Sequence, residues 1–125
     1  MKLCSVFGDV IYDAEVDTIK KLVERAVNNG VHLAHLYLTN ADLTESKLSY
    51  STFTDAELMN SNFSRSDLCR SDFRYAVLKY AKFLDSDLRY TDFTCADLTD
   101  VDLTGADLTG ADFTGANLTG TKGIK

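Results

Sequence analysis

Leucine or phenylalanine occupies every fifth position between residues 33 and 118, without a gap. Two positions before each of these centres stands Ala, Ser or Thr in 15 of the 18 repeats, and Asp or Asn directly precedes the centre in 11. This spacing fits neither an α-helix, whose apolar side recurs about every 3.6 residues, nor a flat strand, with its period of about two. The 18 centres are Leu33, Leu38, Leu43, Leu48, Phe53, Leu58, Phe63, Leu68, Phe73, Leu78, Phe83, Leu88, Phe93, Leu98, Leu103, Leu108, Phe113 and Leu118.

A backbone that turns a corner every five residues explains both inward positions, the large centre and the small residue before it. Asp, Asn, Ser, Thr and Gly, which fill most other positions of the repeat, are the residues that form turns. A chain that turned without advancing would collide with itself. The spacing therefore predicts a solenoid, stabilised by contacts between successive coils.

The run VDLTGADLTGADFTGANLTG at residues 101–120 resembles the pentapeptide-repeat family. The family motif is a small residue, Asp or Asn, Leu or Phe, Ser or Thr, and then any residue, and the resemblance covers residues 31–120. It implies an all-β solenoid, a right-handed quadrilateral β-helix with four repeats, or 20 residues, in each coil. Eighteen repeats then give about 4.5 coils, and the layout is similar to that of short bacterial and phage members.

A coil of 20 residues places residues 20 apart in one column along the shaft. Phenylalanine centres then stack in two of the four inner columns, where offset ring stacking adds to burial. On the outside, Tyr50, Arg70 and Tyr90 share a column, which predicts a guanidinium between two phenol rings.

Residues 1–30 predict an amino-terminal cap on the solenoid. Residues 3–7 and 10–16 have strand character and are separated by Gly8-Asp9, a signal for a two-residue hairpin turn. A helix over residues 18–29 follows, with Asp17 as its N-cap and Gly30 directly after its end. We expect one structural domain with this cap, the β-helix of residues 31–120 and a tail of residues 121–125.

Charge and composition exclude several partners. The chain has 13 Lys and Arg against 19 Asp and Glu, a net charge of −6, which argues against direct binding to nucleic acid or an anionic membrane. No apolar run approaches the roughly 18 residues of a membrane span. Three cysteines, an odd number, do not form a disulfide framework, so we expect a cytoplasmic protein.

Convergent catalytic groups are hard to find in this sequence. His32 and His35 are the only histidines, and no third metal ligand accompanies them. Cys4, Cys69 and Cys95 fall in different columns, and no phosphate-binding loop or dinucleotide fingerprint is present. We therefore expect no enzyme activity, no cofactor and no metal.

Two functions remain open. The first is a non-enzymatic binding or scaffold protein that meets an unknown protein partner through its outer surface. The second follows from the resemblance, which implies that some members mimic duplex DNA and bind type II topoisomerases such as gyrase. Residues 85–120 hold eight aspartates and one arginine. Their charge spacing along the axis, about 1.2 Å, is comparable to about 1.7 Å in duplex DNA. The candidate partner surface is Asp85, Asp87, Asp92, Asp97, Asp100, Asp102, Asp107 and Asp112.

Two features weaken the mimicry hypothesis. A belt of cations interrupts the acidic surface, and the carboxyl-terminal dimerisation helix of the mimics has no counterpart. The belt consists of Arg65, Arg70, Arg74, Lys79, Lys82 and Arg89.

The nearly bare carboxyl-terminal end predicts a monomer or a weak end-to-end homodimer.

Overall fold

Successive coils of the chain are held together in a register of 20 residues. Isolated parallel bridges join residues 20 apart along the whole shaft, from Tyr37 with Glu57 to Asp102 with Lys122. The structure, a computed structural model, describes residues 1–124, so the last residue of the expected tail lies outside the described residues. The four-sided solenoid of about 4.5 coils is confirmed.

The corners of the coils are built by one residue in each repeat, two positions after the centre. These corner residues have positive φ, between 54° and 62° at the non-glycine positions from His35 to Asp100. At one such corner the N–H of Ala56 donates to the carbonyl of Phe53 at 3.1 Å, which closes a four-residue turn. Positive φ at the third residue alone is typical of a type II turn.

Backbone hydrogen bonds run in both directions along the axis. Within one repeat, the N–H groups of Phe73 and Tyr75 donate toward the carboxyl end, at 2.8 and 3.0 Å. The N–H of Asp72 donates toward the amino end, to the carbonyl of Ser51 at 2.9 Å. Each coil therefore depends on both of its neighbours for hydrogen bonds.

Aromatic centres pack through the middle of the shaft. The rings of Phe73 and Phe93 stack at 5.4 Å with an interplanar angle of 10°, and those of Phe63 and Phe83 stack at 5.0 Å. The two columns meet edge to face, with Phe63 and Phe73 at 5.9 Å and 82°. The shaft is consequently filled by side chains and leaves no channel along this aromatic section.

The centres are less buried at the two ends than the sequence suggests. Leu38, Leu108 and Phe113 are half-buried, and Leu118 is 38 % exposed. These residues lie in the first or last coil, where a neighbouring coil is missing on one side. The fully buried centres are Leu33, Leu43, Leu48, Phe53, Leu58, Phe63, Leu68, Phe73, Leu78, Phe83, Leu88, Phe93, Leu98 and Leu103.

The expected cap of a hairpin and a helix is confirmed, but its sheet has a third strand. Strand β1 (Lys2–Ser5) pairs antiparallel with β2 (Val10–Asp13) on one side and with β3 (Leu36–Tyr37) on the other. Because β3 belongs to the first coil, the sheet attaches the hairpin to the shaft.

The prediction of a two-residue turn at Gly8-Asp9 is wrong. The loop covers residues 6–9, and the β1–β2 pairing is irregular between Leu3 and Cys4. The hydroxyl of Ser5 accepts hydrogen bonds from the N–H groups of Phe7 and Asp9, at 3.1 and 3.2 Å. These bonds stabilise a wider loop than the Gly8-Asp9 pair alone predicts.

Helix α1 (Ile19–Asn28) begins one residue later than predicted, and its N-cap is Thr18. Thr18 has an extended backbone, and its Oγ1 accepts from the N–H of Lys21 at 3.1 Å. The carboxylate of Asp17, the predicted N-cap, instead accepts from the Lys21 ammonium at 2.8 Å. Gly30 follows the helix with φ 70°, and its N–H donates to the carbonyl of Val27 in a Schellman arrangement.

The apolar side of α1 closes the amino-terminal end of the shaft. Leu22, Val23 and Ala26 are fully buried in the same cluster as Leu33 and Leu36. Among residues 1–124, no helix has the length and apolar character that crossing a membrane requires.

Candidate protein-binding surface

The histidines and cysteines of the described residues lie apart on the surface. The ring of His35 lies 5.4 Å from that of Phe7, in a tilted contact, and His32 is exposed. The three cysteines are free. Within the part of the chain that the structure describes, no three His, Cys, Asp or Glu side chains are placed to hold a metal ion.

The aspartates that precede the centres stabilise the turns by accepting hydrogen bonds from residues two positions later. The carboxylate of Asp112 accepts from the N–H and the hydroxyl of Thr114, at 2.9 and 2.6 Å. These bonds lower the pKa of Asp112, the hydroxyl contributing more than the N–H. We call this pair of hydrogen bonds, from the N–H and hydroxyl of the threonine two residues later, the aspartate bracket. The same bracket lowers the pKa values of Asp42, Asp102 and Asp107. Part of the acidic character of the surface therefore supports the turns themselves.

Internal ion pairs occupy half of the predicted partner surface. Arg89 donates to Asp87 through two nitrogens, at 2.8 and 2.9 Å, and this contact lowers the pKa of Asp87. Such exposed pairs add little stability, but they reduce the charge that a partner meets. The pairs are Arg89 with Asp87 (2.8 Å) and Asp107 (4.0 Å), Arg74 with Asp92 (3.9 Å), and Lys79 with Asp97 (3.7 Å).

The other half of that surface has no ion-pair partner in the described part of the chain, although Asp102 and Asp112 accept hydrogen bonds from the following threonines. Across residues 1–124, no cationic group lies within the 4.0 Å of an ion pair from these four side chains. They are Asp85, Asp100, Asp102 and Asp112. Asp85 and Asp100 occupy corners, whereas Asp102 and Asp112 precede centres.

The prediction of an arginine between two tyrosines is wrong for one of them. The Arg70 guanidinium carbon lies 4.5 Å from the centroid of Tyr90, but Tyr50 is 72 % exposed and makes no such contact. Corner side chains lean toward the next coil on the carboxyl side. A Cβ on Gly110 would lie only 2.4 Å from the ring of Tyr90. Arg70 leans in the same direction, which takes its guanidinium toward Tyr90 and away from Tyr50.

One side of the shaft carries large apolar groups in place of the usual Asp and Thr. We name it the tyrosine face and define it as Tyr37, Met59, Tyr75, Val77 and Tyr80. Its tyrosines expose between 52 % and 58 % of their surface, and Met59 and Val77 are half-buried. Sequence reasoning missed this face, although Val77 stands where the repeat favours Asp and Met59 where it favours Thr or Ser.

The family model described as pentapeptide repeats matches the chain in eight copies, over residues 29–65, 37–74, 60–89 and 81–120. The chain belongs to the pentapeptide-repeat family. The expected family membership is thus confirmed, and so is the right-handed β-helix that this family shares. A comparison with curated proteins found no match.

Two solved pentapeptide-repeat structures illustrate the likeness. Rfr23 from the cyanobacterium Cyanothece 51142 is 29 % identical over 75 % of this chain and 65 % of its own, with a TM-score of 0.72. HetL from the cyanobacterium Nostoc sp. strain PCC 7120, a protein involved in regulating heterocyst differentiation, is 34 % identical with a TM-score of 0.67. That match covers 68 % of this chain and 39 % of HetL. The chain therefore spans less than two thirds of the length of either relative.

Proposed function

We propose that this pentapeptide-repeat protein is a non-enzymatic binding or scaffold protein that contacts a protein partner through the outside of its β-helix. The observation that carries the proposal is a set of tyrosines that expose half or more of their surface. Tyrosine is enriched at protein interfaces because its ring gives a large apolar contact and its hydroxyl remains hydrated. The tyrosines are Tyr37, Tyr50, Tyr75, Tyr80 and Tyr90.

Affinity purification with matched surface variants tests this proposal. The bait is the wild-type chain, and the control is a variant in which the five exposed tyrosines are serine. Because these side chains lie outside the core, we expect both baits to have the same circular dichroism spectrum. A partner protein retained in stoichiometric amount by the wild type and lost by the variant is the expected result. Identical retained proteins on both baits would contradict the proposal.

The four carboxylates without an ion-pair partner favour a second candidate function, mimicry of DNA toward a type II topoisomerase such as gyrase. Asp85, Asp100, Asp102 and Asp112 would supply the negative charge, in the acidic carboxyl-terminal coils. A supercoiling assay with the protein in large excess tests this function. Inhibition that is lost when the four aspartates become asparagine would support it, and full enzyme activity at every protein concentration would rule it out.

Assembly and location form part of the same proposal. The last described coil leaves Leu118 and Ile124 exposed by 38 % and 36 %, and it also contains a cavity of about 340 Å³ lined by Gly105, Ala106, Leu108 and Gly123. We infer a monomer in equilibrium with a weak end-to-end homodimer through this surface. Residues 1–30 act as the cap, residues 31–120 as the binding shaft and residues 121–125 as a tail, in a cytoplasmic protein.

A further inference from the structure

We propose that the tyrosine face binds an arginine-bearing, apolar segment of another protein. This inference rests on the proposed function and names the surface and the chemistry of its partner. Tyr75 and Tyr80 occupy consecutive corners of one coil, and Val77 lies between them on the outside. Met59 lies on the same side, one coil nearer the amino end. The two rings thus flank an apolar strip onto which a partner side chain can pack.

The charge around this strip favours a cationic partner. Asp55 and Glu57 border it on the amino side, and Asp97 and Asp100 border it on the carboxyl side. Three cations lie near the strip: Lys79 is paired with Asp97 at 3.7 Å, Arg74 is paired with Asp72 at 2.8 Å, and Lys82 is exposed. In the described chain, Asp55, Glu57 and Asp100 have no ion-pair partner within 4.0 Å. Three carboxylates without an ion-pair partner therefore outnumber the one unpaired cation near this aromatic surface, so the surface attracts cations and repels nucleic acid and anionic lipid.

The molecule itself shows how a corner tyrosine receives an arginine. The guanidinium of Arg70 lies over the ring of Tyr90, at 4.5 Å from its centroid. Tyr75 and Tyr80 have almost the same corner backbone as Tyr90, with φ of 60° and 62° against 58°. Among residues 1–124, no cation stacks on either of their rings. A partner's arginine can occupy these rings as Arg70 occupies Tyr90, and its planar group stacks better than a lysine ammonium.

A second copy of this chain is a poorer occupant than a basic segment. Each copy carries a net charge of −6, so two tyrosine faces would bring their acidic borders together. Arg74, which directly precedes Tyr75, cannot relieve this repulsion freely because it is already paired with Asp72 at 2.8 Å. The complementary surface is therefore expected on a different protein.

The test is an NMR titration of the full chain with two short peptides that differ only in their cations. The probe alternates arginine and leucine over five residues, with both ends blocked, and the control peptide replaces arginine by lysine. We expect amide shifts concentrated at residues 57–59 and 75–80, and about threefold tighter binding of the arginine peptide. Shifts spread evenly over all acidic sides, or equal binding of the two peptides, would overturn the inference.

Three variants separate the tyrosine face from general acidity. The double variant Tyr75→Ser/Tyr80→Ser is expected to weaken binding of the arginine peptide about fivefold. The matched control Phe7→Ser removes an aromatic ring that is 73 % exposed in the hairpin loop, outside the binding surface, and should leave binding unchanged. Asp55→Asn/Asp100→Asn should weaken binding and reduce its dependence on salt. Wild-type affinity in the double tyrosine variant would refute the assignment.

The same experiments distinguish this inference from the broader function. If neither peptide binds, yet the purified partner still needs the exposed tyrosines, the protein-binding function stands and the arginine assignment is wrong. If the arginine peptide binds as expected while no partner is retained by the wild type, the surface chemistry is right and the proposed function is unsupported. Matching amide spectra outside the substituted positions would show that each variant is folded.

Discussion

The carboxylate of Glu24 on α1 accepts a hydrogen bond from the backbone N–H of Lys47 at 2.8 Å. From Glu57 onward, the N–H of the residue before a centre donates to a carbonyl of the preceding coil, as Asp67 donates to Ser46 at 2.9 Å. No coil precedes Lys47, and the helix supplies the missing acceptor from a side chain. The cap therefore protects the edge of the shaft by a specific bond as well as by apolar cover.

Removing this acceptor should destabilise the protein measurably. We expect Glu24→Ala to lower the free energy of unfolding by about 0.5–1.5 kcal/mol, since an edge N–H loses its partner. Glu24→Gln is the matched control, because its amide oxygen can still accept the bond, and it should lose less. Urea unfolding of the two variants compares them, and equal losses would show that the bond contributes nothing.

Replacing a phenylalanine centre by alanine should cost more unfolding free energy where the ring is more deeply buried. Phe73→Ala removes a fully buried ring that stacks on Phe53 and Phe93, and we expect a loss of about 3–5 kcal/mol. Phe113→Ala, at the half-buried end of the same column, should lose less than half as much. Denaturant midpoints measure both, and equal midpoints would mean that the last coil is as well covered as the middle.

Close stacking at one corner should make Gly110 sensitive to an added methyl group. A Cβ at Gly110 would lie 2.4 Å from the Tyr90 ring, and the residue has φ 73°. Gly30 has nearly the same φ, 70°, but nothing lies within 4 Å of its Cβ position. Both Gly→Ala variants share the backbone cost of about 1–2 kcal/mol, so only Gly110→Ala should lose more. Removing the ring by Tyr90→Ala should abolish the difference in thermal melts.

Acid should unfold the shaft through its aspartate brackets. The folded chain lowers the pKa values of Asp102, Asp107 and Asp112 below their ordinary value, chiefly through the hydroxyls of the following threonines. Their contribution to stability is therefore complete above about pH 4 and is lost as the pH falls through the folded pKa values. Urea midpoints at neutral pH and at about pH 3 measure this loss.

An internal example supplies the control for this acid effect. Asn117 accepts from the N–H and hydroxyl of Thr119, at 3.1 and 2.7 Å, in the same bracket without a charge. The triple variant Asp102→Asn/Asp107→Asn/Asp112→Asn should keep the fold at neutral pH and lose less stability in acid. An unchanged acid response would assign the effect to other carboxylates.

Salt should favour the end-to-end dimer. Leu118 and Ile124 are exposed apolar side chains at this end. A homodimer there would bring together two copies of residues 85–120, each with a net charge of −7. Because salt screens this repulsion, light scattering at about 20 mM and about 500 mM salt should show a shift from monomer toward dimer. A strict monomer at both concentrations, up to millimolar protein, would exclude this contact.

The sequence predicts the shaft far better than the cap. One constraint, a large apolar residue at every fifth position, sets the inside of each coil, so the register and the phenylalanine stacks follow from it. The cap depends on competition between neighbours. Thr18 and Asp17 can both act as an N-cap, and the nearby ammonium of Lys21 holds the carboxylate of Asp17 at 2.8 Å.

The sequence predicts where the acidic surface lies but not which of its carboxylates are paired, because pairing also depends on neighbouring side chains. Counting aspartates finds the acidic coils but cannot tell which carboxylates meet an arginine on the neighbouring coil, as Asp92 meets Arg74 at 3.9 Å. The tyrosine face was missed because its residues are far apart in the chain. Tyr37 and Val77 are 40 positions apart and share one outer column only after two full coils.

The four sides of the coil have the same inward requirement, and this equivalence has an evolutionary consequence. Inserting one repeat of five residues leaves every later centre inward, yet it rotates all later outer side chains by a quarter turn about the axis. Such an insertion next to Tyr75 would move the surface beyond it to a different side, with the core composition intact. Duplication of single repeats during evolution can therefore change which outer side chains lie next to each other while the packing of the core is preserved.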